Sequence, residues 1–161
     1  MACALRRGIC KIEVVRVRDP AAVDRELLAK NLRGKDLVLS FIGTGPMQRE
    51  DKLFLMDEDN EKRAQAVKRL YALIDLGAAF KVPVVIAKYR GTTKDVDGCR
   101  MEDLAKILQD ATQVAESKGI EISIEPQNAT NINNLNSIGE TVDWLEKIIS
   151  TKFACLWIFT T

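Results

Sequence analysis

Short apolar runs with the two-residue period of a strand alternate along the chain with longer stretches of helical period, and this alternation restricts the fold more than any other feature. Ile12 to Val17 alternates apolar and charged residues and is followed by Asp19-Pro20, an N-cap with proline at the first helical position, so a strand is expected to feed a helix. That helix carries Leu27, Leu28 and Leu32 on its apolar side and should end at Gly34. Leu37 to Ile42 then has the character of a buried strand bounded by Gly43 and Gly45, and a long loop is expected from Gly43 to about Asp57. From Asp59 onward Ala64, Val67, Leu70, Tyr71, Ile74 and Ala78 recur on one helical stripe, with Glu61, Lys62, Lys68 and Arg69 on the other side. Pro83 to Ala87 is the next expected strand. Arg90-Gly91 opens a polar loop holding Lys94, Asp95, Asp97 and Arg100, and a further helix carries Leu104, Ile107, Leu108, Ala111, Val114 and Ala115 before stopping at Gly119.

The next strand ends in a carboxylate. Ile120, Ile122 and Ile124 alternate with polar residues, and Pro126 cannot donate to a sheet ladder, so pairing should stop at Glu125. In parallel α/β folds the carboxyl ends of strands are where ligands bind and catalytic groups gather. A Glu at that edge can ligate a divalent metal or move a proton; the simpler alternative is an exposed carboxylate or a helix cap. Gln127 to Asn136 holds five asparagines, which favour turns and local backbone hydrogen bonds. Ser137-Ile-Gly-Glu140 has capping-box spacing and opens a last helix with Trp144, Leu145 and Ile148 as its buried stripe, and Phe153 to Phe159 is a final apolar strand. The expected architecture is therefore α/β, with about five parallel strands and four helices. Alternation alone leaves open whether this is a complete open sheet or part of an eight-stranded barrel.

The chain's 161 residues suit one domain spanning 1–161. With 24 basic and 23 acidic residues the net charge is +1, and no Lys/Arg cluster is interleaved with aromatics, so nucleic acid is not an expected partner. No stretch approaches 18 uninterrupted apolar residues, which argues against a transmembrane helix. Cys3, Cys10, Cys99 and Cys155 lack metal-ligand spacing, and no secretory segment precedes them; free thiols in a reducing, cytoplasmic setting are expected. The absence of histidine removes the commonest general base, the commonest zinc ligand and every imidazole triad.

Ile124 to Ser137, Gly43 to Gly45, Ile74 to Ala78 and Lys88 to Gly91 are four segments that, over roughly residues 36 to 150, resemble the sugar isomerase/epimerase group of the xylose isomerase-like TIM barrels, which includes hydroxypyruvate isomerases and ketose epimerases. The most specific is Ile124-Glu-Pro-Gln-Asn-Ala-Thr-Asn-Ile-Asn-Asn-Leu-Asn-Ser137, similar to the family's Glu-Pro-x-Asn-Arg-Tyr-Glu-Thr stretch. Gly43-Thr-Gly45, Ile74-Asp-Leu-Gly-Ala78 and Lys88-Tyr-Arg-Gly91 agree with it in order and spacing. The resemblance implies a barrel whose divalent ion, Mn or Mg, is held by four ligands at successive strand ends, with Glu125 matching the first. It implies proton transfer beside a carbonyl through an enediolate, on a small sugar or hydroxy-keto acid, with Glu125 as ligand and proton-transfer group. Asn128 would be a polar contact near the site, and Arg90, with Lys88, would meet an anionic substrate group. The alternative is that Arg90 and Lys88 are solvated loop cations.

The departures bear on function too. The family's Arg falls on Ala129, its second Glu on Asn131 and its Thr on Ile132, and an Asn cannot exchange a proton as a carboxylate does. Leu156-Trp-Ile-Phe-Thr-Thr161 offers neither the Asp nor the His with which the family ends that strand, so the implied ligand set is incomplete, and the alternative to a Mn or Mg ion is that the chain holds none. An eight-stranded barrel typically needs about 250 residues, so the chain corresponds to an incomplete barrel with an exposed sheet edge that favours self-association. Two functions follow. One is an isomerase or epimerase whose site is completed from elsewhere; the other is a catalytically silent half-barrel used for binding or assembly. Abasic-site endonuclease chemistry, which shares the barrel, is disfavoured by the missing histidines and near-neutral charge.

Overall fold

The strand order never reverses. Strands β1 (Lys11–Arg16), β2 (Leu37–Gly43), β3 (Val84–Ile86), β4 (Ile122–Ile124) and β5 (Leu156–Ile158) form one sheet in chain order, every pair parallel. Crossovers of one hand that always advance in the same direction keep all helices on one face, whereas a doubly wound sheet reverses. The single winding is that of a barrel wall, which answers the question that alternation left open. The computed structural model describes residues 11–93, 99–148 and 156–158, with backbone alone at 11–14, 99 and 156–158. Cys3, Cys10, Lys94, Asp95, Asp97, Cys155, Thr160 and Thr161, and the side chain of Cys99, lie outside this description.

Among the described residues five helices connect the strands: α1 (Arg25–Gly34), α2 (Gly45–Asp51), α3 (Asn60–Phe80), α4 (Cys99–Ser117) and α5 (Ile138–Ile148). The expected long loop after Gly43 instead contains α2, which has Thr44 as N-cap and Pro46 within its first positions and stops at Lys52 in the left-handed conformation. Asp19 does cap, but only a single 3-10 turn over Pro20–Ala22; α1 begins later, where the Asp24 carboxylate accepts from the Leu27 N–H at 2.9 Å. Leu27 is 53% exposed rather than on the apolar side, which is carried by Leu28 and Leu32. On α3 the buried face is Ala66, Leu70, Leu73, Ile74, Leu76 and Gly77, so Ala64, expected on the stripe, is exposed.

Ile42, Val84 and Ile122 pair in register across β2, β3 and β4, and with Ile86 and Ile124 they belong to a core shared with Leu70, Leu73 and Ile74 of α3 and Leu104, Leu108 and Ala111 of α4. Strand alternation then places the paired residues Gly43, Val85 and Ser123 on the opposite, helix-free face. Gly77 lets α3 approach the sheet closely. A Cβ built there would lie 2.9 Å from both the Ile120 Cδ1 and the Val82 carbonyl oxygen. Among the described residues no helix is long and apolar enough to cross a membrane.

Candidate functional site

Glu125 directly follows β4 and continues its ladder, its N–H donating to the Ile86 carbonyl at 3.0 Å. Ile124 points into the helix-facing core, so alternation directs the next residue, Glu125, to the helix-free face at the carboxyl edge of the sheet. The carboxylate residue is half-buried.

The neighbouring strand end is built around Arg90. After β3 a 3-10 turn, Lys88–Arg90, reverses the chain, and both Tyr89 and Arg90 are completely buried. The Tyr89 hydroxyl donates to the Ala66 carbonyl of α3 at 2.9 Å, and burial raises its pKa. Gly91 closes the turn with φ +94°, where a Cβ would be 3.2 Å from the Met56 Cβ, so glycine is required by both conformation and space. Thr44, itself buried at the end of β2, bridges to this strand by donating to the Val85 carbonyl at 3.3 Å.

The guanidinium of Arg90 donates five hydrogen bonds, and every acceptor belongs to the protein. Nε meets Asn134 Oδ1 at 2.9 Å, Nη1 meets the carbonyls of Ala87 at 2.7 Å and Glu125 at 3.0 Å, and Nη2 meets the carbonyls of Asn134 at 3.0 Å and Leu135 at 3.2 Å. An arginine has five N–H donors, so none is left for a ligand. Arg90 is thus not a solvated loop cation, and the anionic substrate group expected to meet it finds no unused N–H there. Desolvation lowers its pKa to about 10, opposed by the carboxylates of Glu125 and Glu140, and it remains a cation at neutral pH.

The asparagine-rich segment is a loop, as its composition predicts, and it is tied down by the same network. Asn134 is buried and its Nδ2 donates to the Gly91 carbonyl at 2.9 Å. The Thr93 N–H donates to Asn133 Oδ1 at 2.9 Å, so the loops after β3 and β4 are held together at two points. Glu140, read as half of a capping box, reaches beyond the cap to accept from the Leu135 and Asn136 N–H groups at 2.7 Å each, while its own N–H donates to the Ser137 hydroxyl at 3.1 Å. Asn128 is exposed and its Oδ1 accepts from the Thr130 N–H at 2.9 Å, which makes it a turn-forming residue. Lys88 is half-buried at the start of the 3-10 turn. The part played by Asn134 carried no distinguishing signal among its neighbouring asparagines.

Among the described residues no three His, Cys, Asp or Glu side chains converge to hold a metal ion. Glu125 alone therefore does not fit a divalent cation that takes six or more oxygen ligands or a near-octahedral shell. A cavity of about 210 Å³ opens beside Gly91, lined by Phe54, Met56, Asp57, Glu58, Thr92 and Arg100, and none of the four expected site residues lines it.

A family profile described as xylose isomerase-like TIM barrel matches residues 7–157. No protein of curated function matches the sequence significantly. Among solved structures, an L-ribulose 3-epimerase is similar with a TM-score of 0.72 at 20% identity, over 92% of this chain and 49% of that one. A D-psicose 3-epimerase from Clostridium cellulolyticum H10 gives 0.72 at 18% identity, over 92% and 52%. A xylose isomerase domain protein from Planctomyces limnophilus gives 0.65 at 14% identity, over 91% and 54%. The chain thus spans about half the length of these structures, and its five-stranded sheet is an incomplete barrel. Its matched residues, together with the strand order, make the chain a member of the xylose isomerase-like TIM barrel family.

Proposed function

We propose that this chain contributes the wall from β1 to β5 of a sugar isomerase or epimerase site, with Glu125 as the group that moves the proton. The observation that carries the reading is the position of Glu125: at the carboxyl end of β4, on the helix-free side, with its backbone N–H held by Ile86 and its carbonyl by Arg90. A carboxylate there is suited to take a proton from a carbon next to a carbonyl, the shared first step of ketose epimerisation and aldose–ketose isomerisation; returning it to the adjacent carbon completes isomerisation, whereas epimerisation needs a second acid that protonates the opposite face of the enediolate. The substrate class is a small sugar or hydroxy-keto acid, in keeping with the ketose epimerases of similar fold. Arg90 acts as a positioning residue, setting the Glu125 backbone, in place of the substrate contact expected of it. A Mn or Mg ion would take Glu125 as one ligand and would need donors beyond those the described residues bring together. The remaining wall comes from strands added at a sheet edge, by association with another copy or with further barrel strands.

Glu125→Gln tests this reading: turnover of keto sugars or hydroxypyruvate should fall to background while the fold is retained, and a variant with full turnover removes Glu125 from the chemistry. Manganese calorimetry on both proteins separates the second reading, a silent half-barrel, which Asn131 and Ala129 favour because the family's carboxylate and Arg are absent there. Binding that disappears in the variant supports the enzyme, and no binding in either supports the silent module.

A further inference from the structure

We infer that Arg16 is an oxyanion-binding residue on the helix-free face of this site, so that the substrate is a short hydroxylated carbonyl compound with a terminal phosphate or carboxylate. The inference rests on the reading of Glu125 as the proton-transfer group and adds the substrate's charge. Arg16 is the last residue of β1 and pairs with Gly43 of β2, while the preceding pair, Val15 with Ile42, packs on the helix side. Alternation therefore puts Arg16 on the helix-free face, the face to which Glu125 is directed, and both lie at carboxyl ends of their strands.

The neighbouring sequence leaves room for the side chain to lie across β2. A Cβ at Gly43 would stand 3.6 Å from the Arg16 Cγ, and one at Gly45 would stand 3.9 Å from its Cδ, so the stem rests over two residues that have no side chains of their own. The residue is exposed, and its guanidinium makes no hydrogen bond or ion pair with any described residue. Other arginines at this end of the sheet differ: Arg18 and Arg69 share the Asp51 carboxylate, and Arg90 is saturated. Among the described residues the planar fork of Arg16 thus has no partner, and such a fork binds phosphate or carboxylate in two parallel hydrogen bonds. Strands β1 and β4 are three neighbours apart, about 14 Å measured along a sheet and less across a curved one. The Arg and Glu side chains together with a short-chain ligand fill that span, placing the anionic end at Arg16 and the reacting carbon at Glu125.

Calorimetry at low salt tests the assignment with a ketopentose, its terminal phosphate ester, hydroxypyruvate and inorganic phosphate, each titrated into wild type, Arg16→Gln, Arg16→Lys and Glu125→Gln. The expected result is at least a tenfold loss of affinity for the phosphate ester or for hydroxypyruvate in Arg16→Gln, with partial recovery in Arg16→Lys and unchanged affinity for the neutral ketopentose. Which of the two anions is affected identifies the group recognised. Equal affinity for both anions in wild type and Arg16→Gln overturns the inference, as does a parallel loss for the neutral sugar or no binding of either anion to wild type. Glu125→Gln separates the two readings: if it turns over substrate normally the proton-transfer role fails, whereas the anion assignment is decided by the Arg16 variants.

Discussion

The Arg90 Nη1 donates to the backbone carbonyl of Glu125 across 3.0 Å, linking the turn after β3 to the end of β4. The same guanidinium holds Asn134 and Leu135, so one buried cation fixes the backbone on both sides of the asparagine-rich loop. Replacing it by Met removes a donor from four carbonyl oxygens and the Asn134 amide oxygen; the Ala87 and Leu135 carbonyls keep backbone N–H donors, at 3.4 Å from residue 90 and 3.3 Å from Gln127, while no other backbone donor reaches the carbonyls of Glu125 and Asn134 among the described residues. Hydrogen bonds to a charged donor are worth about 1.5–3 kcal/mol each, partly offset here by the cost of burying the charge. Arg90→Met should therefore destabilise by at least ~3 kcal/mol in denaturant unfolding. Arg90→Lys, with three donors and no planar fork, should recover only part of that. A loss below ~1 kcal/mol for Met would mean that water or the loop itself replaces the guanidinium.

Leu70 is completely buried on α3 and belongs to the core shared with the sheet. Leu70→Ala should cost about 2–5 kcal/mol through lost transfer energy and the cavity left behind. Ala64→Ser on the same helix, at an exposed position, should change stability by less than about 0.5 kcal/mol. Similar losses at both sites in thermal unfolding would contradict the orientation of α3.

What the sequence made legible divides along physical lines. Period-two and helical patterning report burial, so the five strands and the four longer helices were recoverable from apolar spacing, and Glu125 was locatable because Pro126 ends the ladder just after it. Helix α2 was hidden because its seven residues, Gly45 to Asp51, are too few to display an apolar period. The role of Arg90 was hidden for a different reason: a charged residue before glycine after a strand has the composition of a surface loop, and its burial depends on acceptors such as Asn134, 44 residues away in sequence. In sequence Arg16 is one charge in an alternating strand, and the face it occupies follows from its register with Gly43.

Gly77 offers a test of helix–sheet packing with an internal control. An alanine methyl at 77 would meet a backbone oxygen and a core methyl at 2.9 Å, so α3 must move off β3 and β4, whereas at Gly34, the last residue of α1, nothing lies within 4 Å. Overpacking costs about 1–3 kcal/mol, and the ~1 kcal/mol gained by removing a glycine from a helix offsets only part of it. Gly77→Ala should lower the melting temperature and Gly34→Ala should hold or raise it. A stabilised Gly77→Ala would show that the Ile120 side chain and the Val82 backbone yield more easily than this packing implies.

Asp51 couples the segment after β1 to α2 and α3 through charge, which makes its contribution dependent on pH. Arg18 Nε donates to Asp51 Oδ1 at 2.7 Å, and Arg69 Nη1 pairs with the other carboxylate oxygen while also donating to the Arg18 carbonyl at 2.7 Å. The hydrogen bond from Arg18, then that from Arg69, hold the Asp51 carboxyl below its ordinary value of 3.8. A folded pKa below the unfolded one means that the unfolded chain takes up the proton first on acidification. The stabilisation is therefore fully present above 3.8 and is lost as pH falls through the folded value. Asp51→Asn should be less stable than wild type near neutral pH, and in parallel denaturant titrations from about pH 7 to about pH 3 the gap should hold until about pH 4 and narrow below it. A gap that stays constant across that range would assign the role of Asp51 to hydrogen bonding that the neutral amide or acid also performs, not to its charge.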